Sequence, residues 1–491
     1  MKSIWYENTS PPWVPPYRLP KRCEVAIIGG GLGGMLLAYQ LGALGIDALV
    51  IEAEEVGAGA SGRTTGKVTL GRGLFYDKLL KRVSKARAQA FVDGSKAALE
   101  GYARLIEALG CDCDMARAPA LLYTLADRGR LESEAQAARS LGIKGELTKR
   151  SELPFSIEIA LSYPQQIKLN PIKLLYRLKE EVKVVEHTRV TDVHGHTIET
   201  SQGALEAERI VFAAHYPLMN LPALHFMSLT QSRSYSIALA GVEKMPHGMY
   251  YGIDRHGFSL AAVGRHLILC GESHPTGEGH GNPFHKLRGI AQAYYPEGQV
   301  VAKWSAQDVM SPDGLPLIGS YSRLTPHWYL ITGHSKWGML GSMLAADMLA
   351  KQILGEKTSL DGLLSPLRIG RAEIAASSKM LGQAMRGYAR RFFHTAQEVA
   401  EELPMEYGAI VTRHGVKMGL YRDKNGVEWA VSPVCSHLGC EVNWNAVTRT
   451  WDCPCHGSRF DYKGRPLDDP ATKPLTRLNP KTGKEIEGET I

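Results

Sequence analysis

Two short segments near the carboxyl end of this chain constrain its fold most, because each combines cysteine and histidine at close spacing. The first is Cys435-x-His437 and the second is Cys453-x-x-His456. Each pair can supply one thiolate and one imidazole. Together they form a complete ligand set for a [2Fe-2S] cluster in which two histidines replace two cysteines on one iron. A chain with this ligand set moves electrons one at a time.

Two cysteines and two histidines could instead hold a structural zinc ion, which is also four-coordinate. Structural zinc sites usually take like ligands in local pairs, whereas here each pair is mixed. Two further cysteines, Cys440 and Cys455, lie beside the ligands. The spacing therefore favours the iron-sulfur cluster over zinc.

The whole pattern, C-x-H-L-G-C followed by C-P-C-H-G-S, resembles the Rieske iron-sulfur family, specifically its respiratory-type members. The resemblance implies that two cysteines bind one iron and two histidines the other: Cys435 and Cys453, then His437 and His456. It also implies a disulfide between Cys440 and Cys455 that ties the two ligand loops over the cluster.

Ser458, at the end of the second motif, and Phe460, two residues later, bear on the reduction potential of the cluster. By the resemblance, the hydroxyl of Ser458 can reach a bridging sulfide. The pattern departs from the family at Phe460, where respiratory-type members carry a tyrosine whose hydroxyl binds a ligand sulfur. Hydrogen bonds to sulfur stabilise the reduced, more negative cluster. We therefore predict a potential in the middle of the Rieske range, which spans roughly −150 to +300 mV.

A second constraint lies near the amino end, where an apolar run at 24–28 leads into a glycine-rich turn and a helical stretch. The turn is Gly29-x-Gly31-x-x-Gly34, and Glu52 closes the next apolar run. The glycine motif alone is a weak signal, but strand, helix and a later acid together indicate a dinucleotide-binding βαβ unit. Gly31 lets the backbone approach a pyrophosphate, and Glu52 can bind ribose hydroxyls.

The segment that follows this unit indicates which dinucleotide binds. It runs Gly57-Ala-Gly-Ala-Ser61-Gly-Arg63-Thr64 and could be an ordinary flexible loop. It resembles, however, a loop of the D-amino acid oxidase, glycine oxidase and sarcosine oxidase superfamily of flavoproteins. By that resemblance Ser61, Arg63 and Thr64 run along the pyrophosphate of FAD.

Later segments resemble the same superfamily, so the resemblance covers most of residues 22–355. It matches Val190 to a valine whose backbone holds adenine. It also matches a turn that precedes a helix. In the superfamily, the positive end of that helix stabilises negative charge at the flavin N1 and C2 carbonyl. The turn contains Gly333, Lys336, Trp337, Gly338 and Met339. The side chains of Trp337 and Met339 could equally serve core packing. No cysteine stands between Cys270 and Cys435 for flavin attachment, so FAD is expected to be non-covalent.

These features predict a multidomain α/β (α+β) chain with a Rossmann-like FAD-binding domain, an antiparallel-sheet substrate domain and a C-terminal all-β Rieske domain. A helix connects the FAD-dependent oxidoreductase to the Rieske domain, and we expect it to pack on one or both of them through a face that includes Leu381, Met385 and Tyr388. The predicted boundaries are an N-terminal arm at 1–21, the FAD-dependent oxidoreductase at 22–369, the connecting helix at 370–403 and the Rieske domain at 404–491. Within the oxidoreductase, FAD binding takes about 22–80, 150–217 and 300–369, and the substrate domain about 81–149 and 218–299.

Net charge and hydropathy indicate where in the cell the protein is located and which kinds of partner it binds. The net charge of +7 over 491 residues is too mild to predict nucleic-acid binding. No apolar run has the length of a membrane span, and the amino end shows no secretory signal. We therefore expect a soluble cytoplasmic protein.

The two cofactors together predict a function. Members of the flavin superfamily oxidise C–N bonds of amines or amino acids by hydride transfer to the flavin. An oxidase needs no one-electron centre, so a cluster in the same chain favours a dehydrogenase. In this reading an exposed edge formed by His437 and His456 passes electrons to an unidentified external acceptor. An oxygen-using oxidase with a structural cluster module and a non-catalytic redox relay or sensor remain as alternatives.

The residues that contact the substrate are predicted only from their region of the chain. Superfamily sites commonly use an arginine for a carboxylate and tyrosines around the flavin. The candidates by region are Arg233, Tyr235, Tyr250 and Tyr251, and each could equally be structural.

Overall fold

The computed structural model describes residues 2–279, 281–393, 396–398, 403–413 and 415–486. Its strands form an eight-stranded sheet, a nine-stranded sheet and, near the carboxyl end, sheets of five and four strands. We call the first two the nucleotide sheet and the substrate sheet. Among the described residues, no helix is both long and apolar enough to cross a bilayer.

The nucleotide sheet is built around the first apolar run of the chain. Its main strands, in spatial order, are Leu317–Ser322, Thr325–Thr332, Gly203–Phe212, Arg22–Ile28, Ala48–Ile51 and Lys183–Val185, and the hairpin Val190–His194 and Thr197–Thr200 joins Gly203–Phe212. Arg22–Ile28 pairs in parallel with both of its neighbours. Its last four residues are buried, as expected for a central parallel strand that is covered on both faces.

The substrate sheet is mostly antiparallel. Its strands, in spatial order, are Gln299–Met310, Thr230–Ala240, His266–Pro275, Ser259–Val263, Met249–Gly252, Ala116–Thr124, Ile159–Lys168 and Lys67–Val68, and Glu146–Thr148 pairs with Ile159–Lys168. Three of these strands, Lys67–Val68, Ile159–Lys168 and Gln299–Met310, lie in sequence ranges that we predicted to belong to FAD binding. Boundaries drawn along the sequence miss them because the chain crosses between the sheets several times.

The helices cover these two sheets and join them to the last domain. They are Leu32–Ala43, Tyr76–Arg82, Lys85–Ala108, Arg128–Ser140, Pro171–Lys179, Pro283–Tyr294, Gly338–Ile353, Asp361–Leu364 and Arg371–Phe393. We call Leu32–Ala43 the dinucleotide helix and Arg371–Phe393 the connecting helix. Short 3-10 helices occupy Ile4–Tyr6, Ala60–Arg63 and His225–Met227.

The carboxyl-terminal domain consists of two small antiparallel sheets. The larger contains Gln397–Glu398, Gly408–Arg413, Val416–Arg422, Glu428–Val431 and Arg477–Leu478, and the smaller contains Asn443–Asn445, Thr450–Asp452, Arg459–Asp461 and Pro466–Asp468. The ligand segments of the two Cys/His motifs flank the smaller sheet. This arrangement agrees with the all-β domain that the motifs predicted.

The connecting helix differs from its prediction in length and in packing. It ends at Phe393, whereas we predicted a helix to residue 403, and residues 399–402 lie outside the described part of the chain. Of the predicted packing face, Leu381 and Met385 are more than half exposed, whereas the Tyr388 ring lies 3.7 Å from the position of an added Cβ at Gly439 in the last domain. The helix also approaches that domain at Gly387, where an added Cβ would lie 2.4 Å from the Sγ of Cys455.

The N-terminal arm packs against the glycine-rich loop 57–64. Trp5 is buried and its Nε1 donates a hydrogen bond to the carbonyl of Thr64 at 2.7 Å. The hydroxyl of Tyr6 donates to the carbonyl of Gly57 at 3.1 Å. The arm therefore braces both ends of the glycine-rich loop 57–64.

Candidate functional site

The glycine turn at the start of the dinucleotide helix has the tight packing that its sequence predicted. Gly29 has φ +117°, a conformation that favours glycine. A Cβ added at Gly34 would lie 2.1 Å from the carbonyl oxygen of Gly29. The N-cap residue Gly31 has no side chain to cap the dinucleotide helix, and its first turn holds no acidic residue, so the N–H groups left without a protein partner there favour an anion.

Two side chains hold the loops around this helix start. The backbone N–H groups of Gly30 and Glu54 donate hydrogen bonds to the carboxylate of Glu52 at 2.6 and 2.8 Å. The hydroxyl of Ser61 accepts from the N–H of Leu32 at 2.9 Å. Burial raises the pKa of Glu52. These contacts fix the positions that the sequence assigned to the ribose and the pyrophosphate.

A cavity of about 710 Å³ begins at the glycine turn and extends between the nucleotide and substrate sheets. Of the residues predicted to bind FAD, all except Gly34 line it: Gly29, Gly31, Glu52, Ser61, Arg63, Thr64, Val190, Gly333, Lys336, Trp337, Gly338 and Met339. Gly34 lies behind the lining, where it lets the dinucleotide helix pack closely against Gly29. The volume and the elongated lining suit a dinucleotide cofactor.

The far end of the cavity is bounded by the turn before helix Gly338–Ile353. Ser335 and Lys336 both adopt positive φ, which is uncommon for residues other than glycine and often marks a functional turn. The buried ring nitrogens His215 Nε2 and His334 Nδ1, both in cavity-lining residues, have no hydrogen-bond partner among the described residues. Unpaired polar atoms at this place fit a site built to hold a polar cofactor.

The four substrate candidates separate into two pairs. Tyr250 and Tyr251 line the cavity, and the Tyr251 ring lies 5.7 Å from that of Trp337. Arg233 and Tyr235 do not line it. The guanidinium of Arg233 binds Ser305, and Tyr235 binds His274 at 3.1 Å. Their role as substrate contacts stays a prediction, which this placement does not favour.

Sequence reasoning missed several charged residues in the cavity lining, among them Lys67 and Asp308. Lys67 donates hydrogen bonds to the carbonyl of Tyr250 at 3.1 Å and to the hydroxyl of Ser259. Burial lowers the pKa of Lys67 to about 7, and burial raises the pKa of Asp308. The position of Lys67 shortly after the glycine-rich loop was a sequence feature that could have indicated its place in the cavity. No sequence feature indicated Asp308.

The two Cys/His segments fold into matching loops. The sulfur of Cys435 accepts hydrogen bonds from the N–H groups of His437 and Leu438, and Cys453 accepts from Cys455 and His456. The Cys453 thiol bonds to the Cys435 sulfur, and this contact is the main reason that the pKa of Cys435 is lowered to about 7. Two facing sulfurs of this kind can serve as thiolate ligands of one iron.

The two histidines lie together on the other side of the loops. Their ring centroids are 4.9 Å apart, and burial lowers the pKa of His437 to about 4 and of His456 to about 3. Both rings are therefore neutral at pH 7, as metal ligands must be. The buried Nδ1 of His437 has no partner among the described residues, which fits a nitrogen meant for iron.

The remaining cysteines form the predicted disulfide. The sulfurs of Cys440, Cys453 and Cys455 lie within 4.8 Å of one another. Cys440 and Cys455 are joined across a Cα distance of 6.7 Å, so only Cys453 of these three is left as a ligand. The hydroxyl of Ser458 bonds to the Cys435 sulfur and accepts from the N–H of Ala471 at 3.1 Å.

The histidine edge faces the flavin-binding part of the chain. His456 is only 2% exposed, and the ring of Phe226 lies 5.5 Å from His437 and 5.4 Å from His456. His437 Nε2 bonds to Asn220 Oδ1 at 3.0 Å. The expectation of an exposed His437/His456 edge was therefore wrong, because the domain docks through these ligands.

A buried glutamine network fixes this docking. The Gln231 side chain donates to the carbonyls of His456 and Asp469 at 2.7 and 2.8 Å. Gln307 donates to the carbonyl of Gly457 at 2.8 Å. Both glutamines are at most 6% exposed, and their bonds hold the second ligand loop against the substrate sheet.

Changing Phe460 to tyrosine is expected to raise the reduction potential of the cluster. Phe460 is fully buried in the same apolar group as Cys435 and Cys453. A hydrogen bond to a charged group is worth about 1.5 kcal/mol, which corresponds to roughly 60 mV for one electron. Redox titration followed by electron paramagnetic resonance (EPR) measures the shift. Tyr462→Phe is the control, and an unchanged potential in Phe460→Tyr would refute the explanation.

Comparison with known proteins assigns each part of the chain. Residues 24–352 match the family described as FAD dependent oxidoreductase, and residues 395–479 match the Rieske [2Fe-2S] domain. A Bacillus subtilis (strain 168) protein named "Putative Rieske 2Fe-2S iron-sulfur protein YhfW" is 29% identical over 500 residues, which is 97% of each chain. Cytochrome b6-f complex iron-sulfur subunit 1 of Nostoc sp. is 44% identical over 55 residues, 11% of this chain and 31% of that protein.

Solved structures resemble the flavin-binding part. Glycine oxidase from Geobacillus kaustophilus has a TM-score of 0.61 and 20% identity, covering 72% of this chain and 100% of that one. L-proline dehydrogenase from P. horikoshii has a TM-score of 0.62 and 17% identity with the same coverage. At these identities the likeness shows the fold.

Proposed function

The chain belongs to the FAD dependent oxidoreductase family and ends in a Rieske [2Fe-2S] domain, and on this basis we propose that it is a dehydrogenase of amines or amino acids. Its cofactors are FAD and a [2Fe-2S] cluster. When bound, FAD supplies two-electron oxidation of a C–N bond and the cluster supplies one-electron transfer. The residues described above determine where these groups sit and what they face.

The observation that carries this proposal is the docking of the cluster histidines on the flavin-binding part. One short loop connects the two sites. Ala213, Ala214, His215 and Leu218 line the cavity, and Asn220 in the same loop binds the ligand His437. This arrangement supports electron transfer from the flavin to the cluster within one chain. An external acceptor must then approach the cluster from a side that the histidines do not face.

The charges in the cavity support an amine or amino-acid substrate. Lys67 offers an amine that can bind a carboxylate, and Asp308 offers a carboxyl group that can bind an amine nitrogen. The pKa of Asp308 is raised by burial, against the opposing effect of Lys336 and His215. Tyr251 and Trp337 supply an aromatic wall beside these charges. The two structural neighbours, a glycine oxidase and an L-proline dehydrogenase, are both named for amino-acid substrates.

Anaerobic titration with a panel of amines and amino acids tests the function. We expect one member to bleach the flavin absorbance, and the EPR signal of the reduced cluster to follow. The rate of cluster reduction should not depend on protein concentration, because donor and acceptor share a chain. A flavin that bleaches while the cluster signal never appears would contradict the proposal.

Two further outcomes identify the alternatives. Turnover with oxygen as fast as with an artificial dye acceptor would indicate an oxidase with a structural cluster. A flavin that no member of the panel reduces, but that exchanges electrons with a reduced partner protein, would indicate a relay.

A further inference from the structure

The flavin cavity is closed by a segment of the other domain. Pro466, Leu467, Asp468 and Asp469 line it together with the glycine-rich loop. All four belong to the Rieske domain and follow its last cluster ligand. The bonds from Gln231 to the carbonyls of His456 and Asp469 tie this segment to the docked ligand loop. The cavity therefore has walls from both domains.

A chain of charged side chains connects the cluster side to this wall, and its members Arg459 and Asp452 are buried. Arg459 Nε bonds to Asp452 at 3.1 Å, and Arg459 NH1 bonds to Asp468 at 2.5 Å. On the cavity side, Arg63 NH1 lies 3.8 Å from Asp468. Burial opposes ionisation of Asp468, but Arg459, Arg63 and Arg233 hold the pKa of Asp468 below its usual range. Asp468 is thus a carboxylate shared between the two domains.

Arg63 lies near the start of the dinucleotide helix, where an anion is expected to bind. It ends the 3-10 helix Ala60–Arg63, and Ser61 of that helix binds the N–H of Leu32 in the first turn of the dinucleotide helix. The start of that helix, which holds no acidic residue, and the Arg63 cation line the same cavity. The diphosphate is the anionic part of FAD, so these two features fit it.

We propose that the Rieske domain completes the FAD site, with Asp468 as a positioning residue that orients Arg63 toward the FAD diphosphate. Arginine side chains have high rotational freedom, so a fixed partner reduces the entropy lost when the ligand binds. The bond between Arg459 and Asp468 offsets the negative charge of Asp468 near the diphosphate. FAD binding and domain docking are then linked, and each strengthens the other. The proposal requires FAD but not the dehydrogenase activity, so the failure of one leaves the other standing.

FAD release from the diluted holoenzyme, followed by flavin fluorescence, tests the positioning role. We expect Asp468→Asn to release FAD about tenfold faster while the cluster EPR signal is retained. Arg63→Gln should have a similar or larger effect, and the double variant should release FAD no faster than Arg63→Gln alone. Glu406→Gln is the matched control, because it removes an acid paired with Arg449 in the same domain away from the cavity. Unchanged release in Asp468→Asn, or effects that multiply in the double variant, would overturn the proposal.

A second measurement needs no variant. Hydrogen exchange of the backbone amides at 467–469 should be about tenfold faster in the unsubstituted protein after FAD has been removed, because the ligand no longer holds the two walls together. Adding FAD back should restore the protection. Equal exchange with and without FAD would refute the link, whatever the variants show.

Discussion

Replacing Gly34 by alanine is expected to abolish FAD binding and to lower the free energy of unfolding by about 3 kcal/mol. The added Cβ would lie 2.1 Å from the carbonyl oxygen of Gly29 and 3.1 Å from Cγ2 of Ile27. The first contact is with backbone, so no side-chain rotation relieves it. The dinucleotide helix would have to move away from the turn that forms the pyrophosphate site. Flavin absorbance of the purified protein and chemical denaturation measure the two effects.

The same helix provides a matched control. Gly42 has no atom within 4 Å of the position of an added Cβ. Alanine is favoured over glycine within helices by roughly 0.5–1 kcal/mol, so Gly42→Ala should be neutral or slightly stabilising and should retain FAD. If Gly34→Ala binds FAD as the unsubstituted protein does, the close packing of helix and turn is not required for the site.

The predictions that the comparisons confirm come from chemistry that needs particular residues at fixed spacing. A [2Fe-2S] cluster with two histidines needs its thiolates and imidazoles on two loops, and the family match and the Cys440–Cys455 disulfide confirm that prediction. The glycine turn and its acid predicted a dinucleotide-binding unit, and the resemblance of the loop at 57–64 predicted the flavin family that the match confirms. The individual FAD contacts and cluster ligands are predictions still, although the structure gathers them at two sites.

The relation between the sites could not be predicted from the sequence. The contacts that join them link residues far apart in the chain: Asn220 with His437 and Gln231 with His456. Nothing in the local pattern of an asparagine in a loop or a glutamine in a strand indicates its partner. The same limit explains Arg233, which lies in strand Thr230–Ala240 but binds Ser305 and does not line the cavity. The packing of the connecting helix was predicted only in part, because an amphipathic pattern shows that a helix has two faces but does not indicate that Gly387 lies against Cys455.

Gln231→Leu is expected to slow electron transfer from flavin to cluster at least about tenfold. Leucine has nearly the same size but donates no hydrogen bond, so the carbonyls of His456 and Asp469 lose their bonds to Gln231. Each buried acceptor left unpaired costs roughly 1–3 kcal/mol, and undocking the ligand loop exposes both to water. The variant therefore favours the undocked domain, in which the cluster lies farther from the flavin.

Flash reduction of the flavin under anaerobic conditions, at saturating FAD, measures this step without a substrate. The cluster should be reduced more slowly in Gln231→Leu than in the unsubstituted protein, while the amount of bound cluster stays the same. Gln299→Leu is the control, because Gln299 is an exposed residue at the start of strand Gln299–Met310 in the same sheet. An equal rate in Gln231→Leu would mean that the glutamine network does not hold the domains together. It would also contradict the inference that electrons enter the cluster through the docked edge formed by His437 and His456.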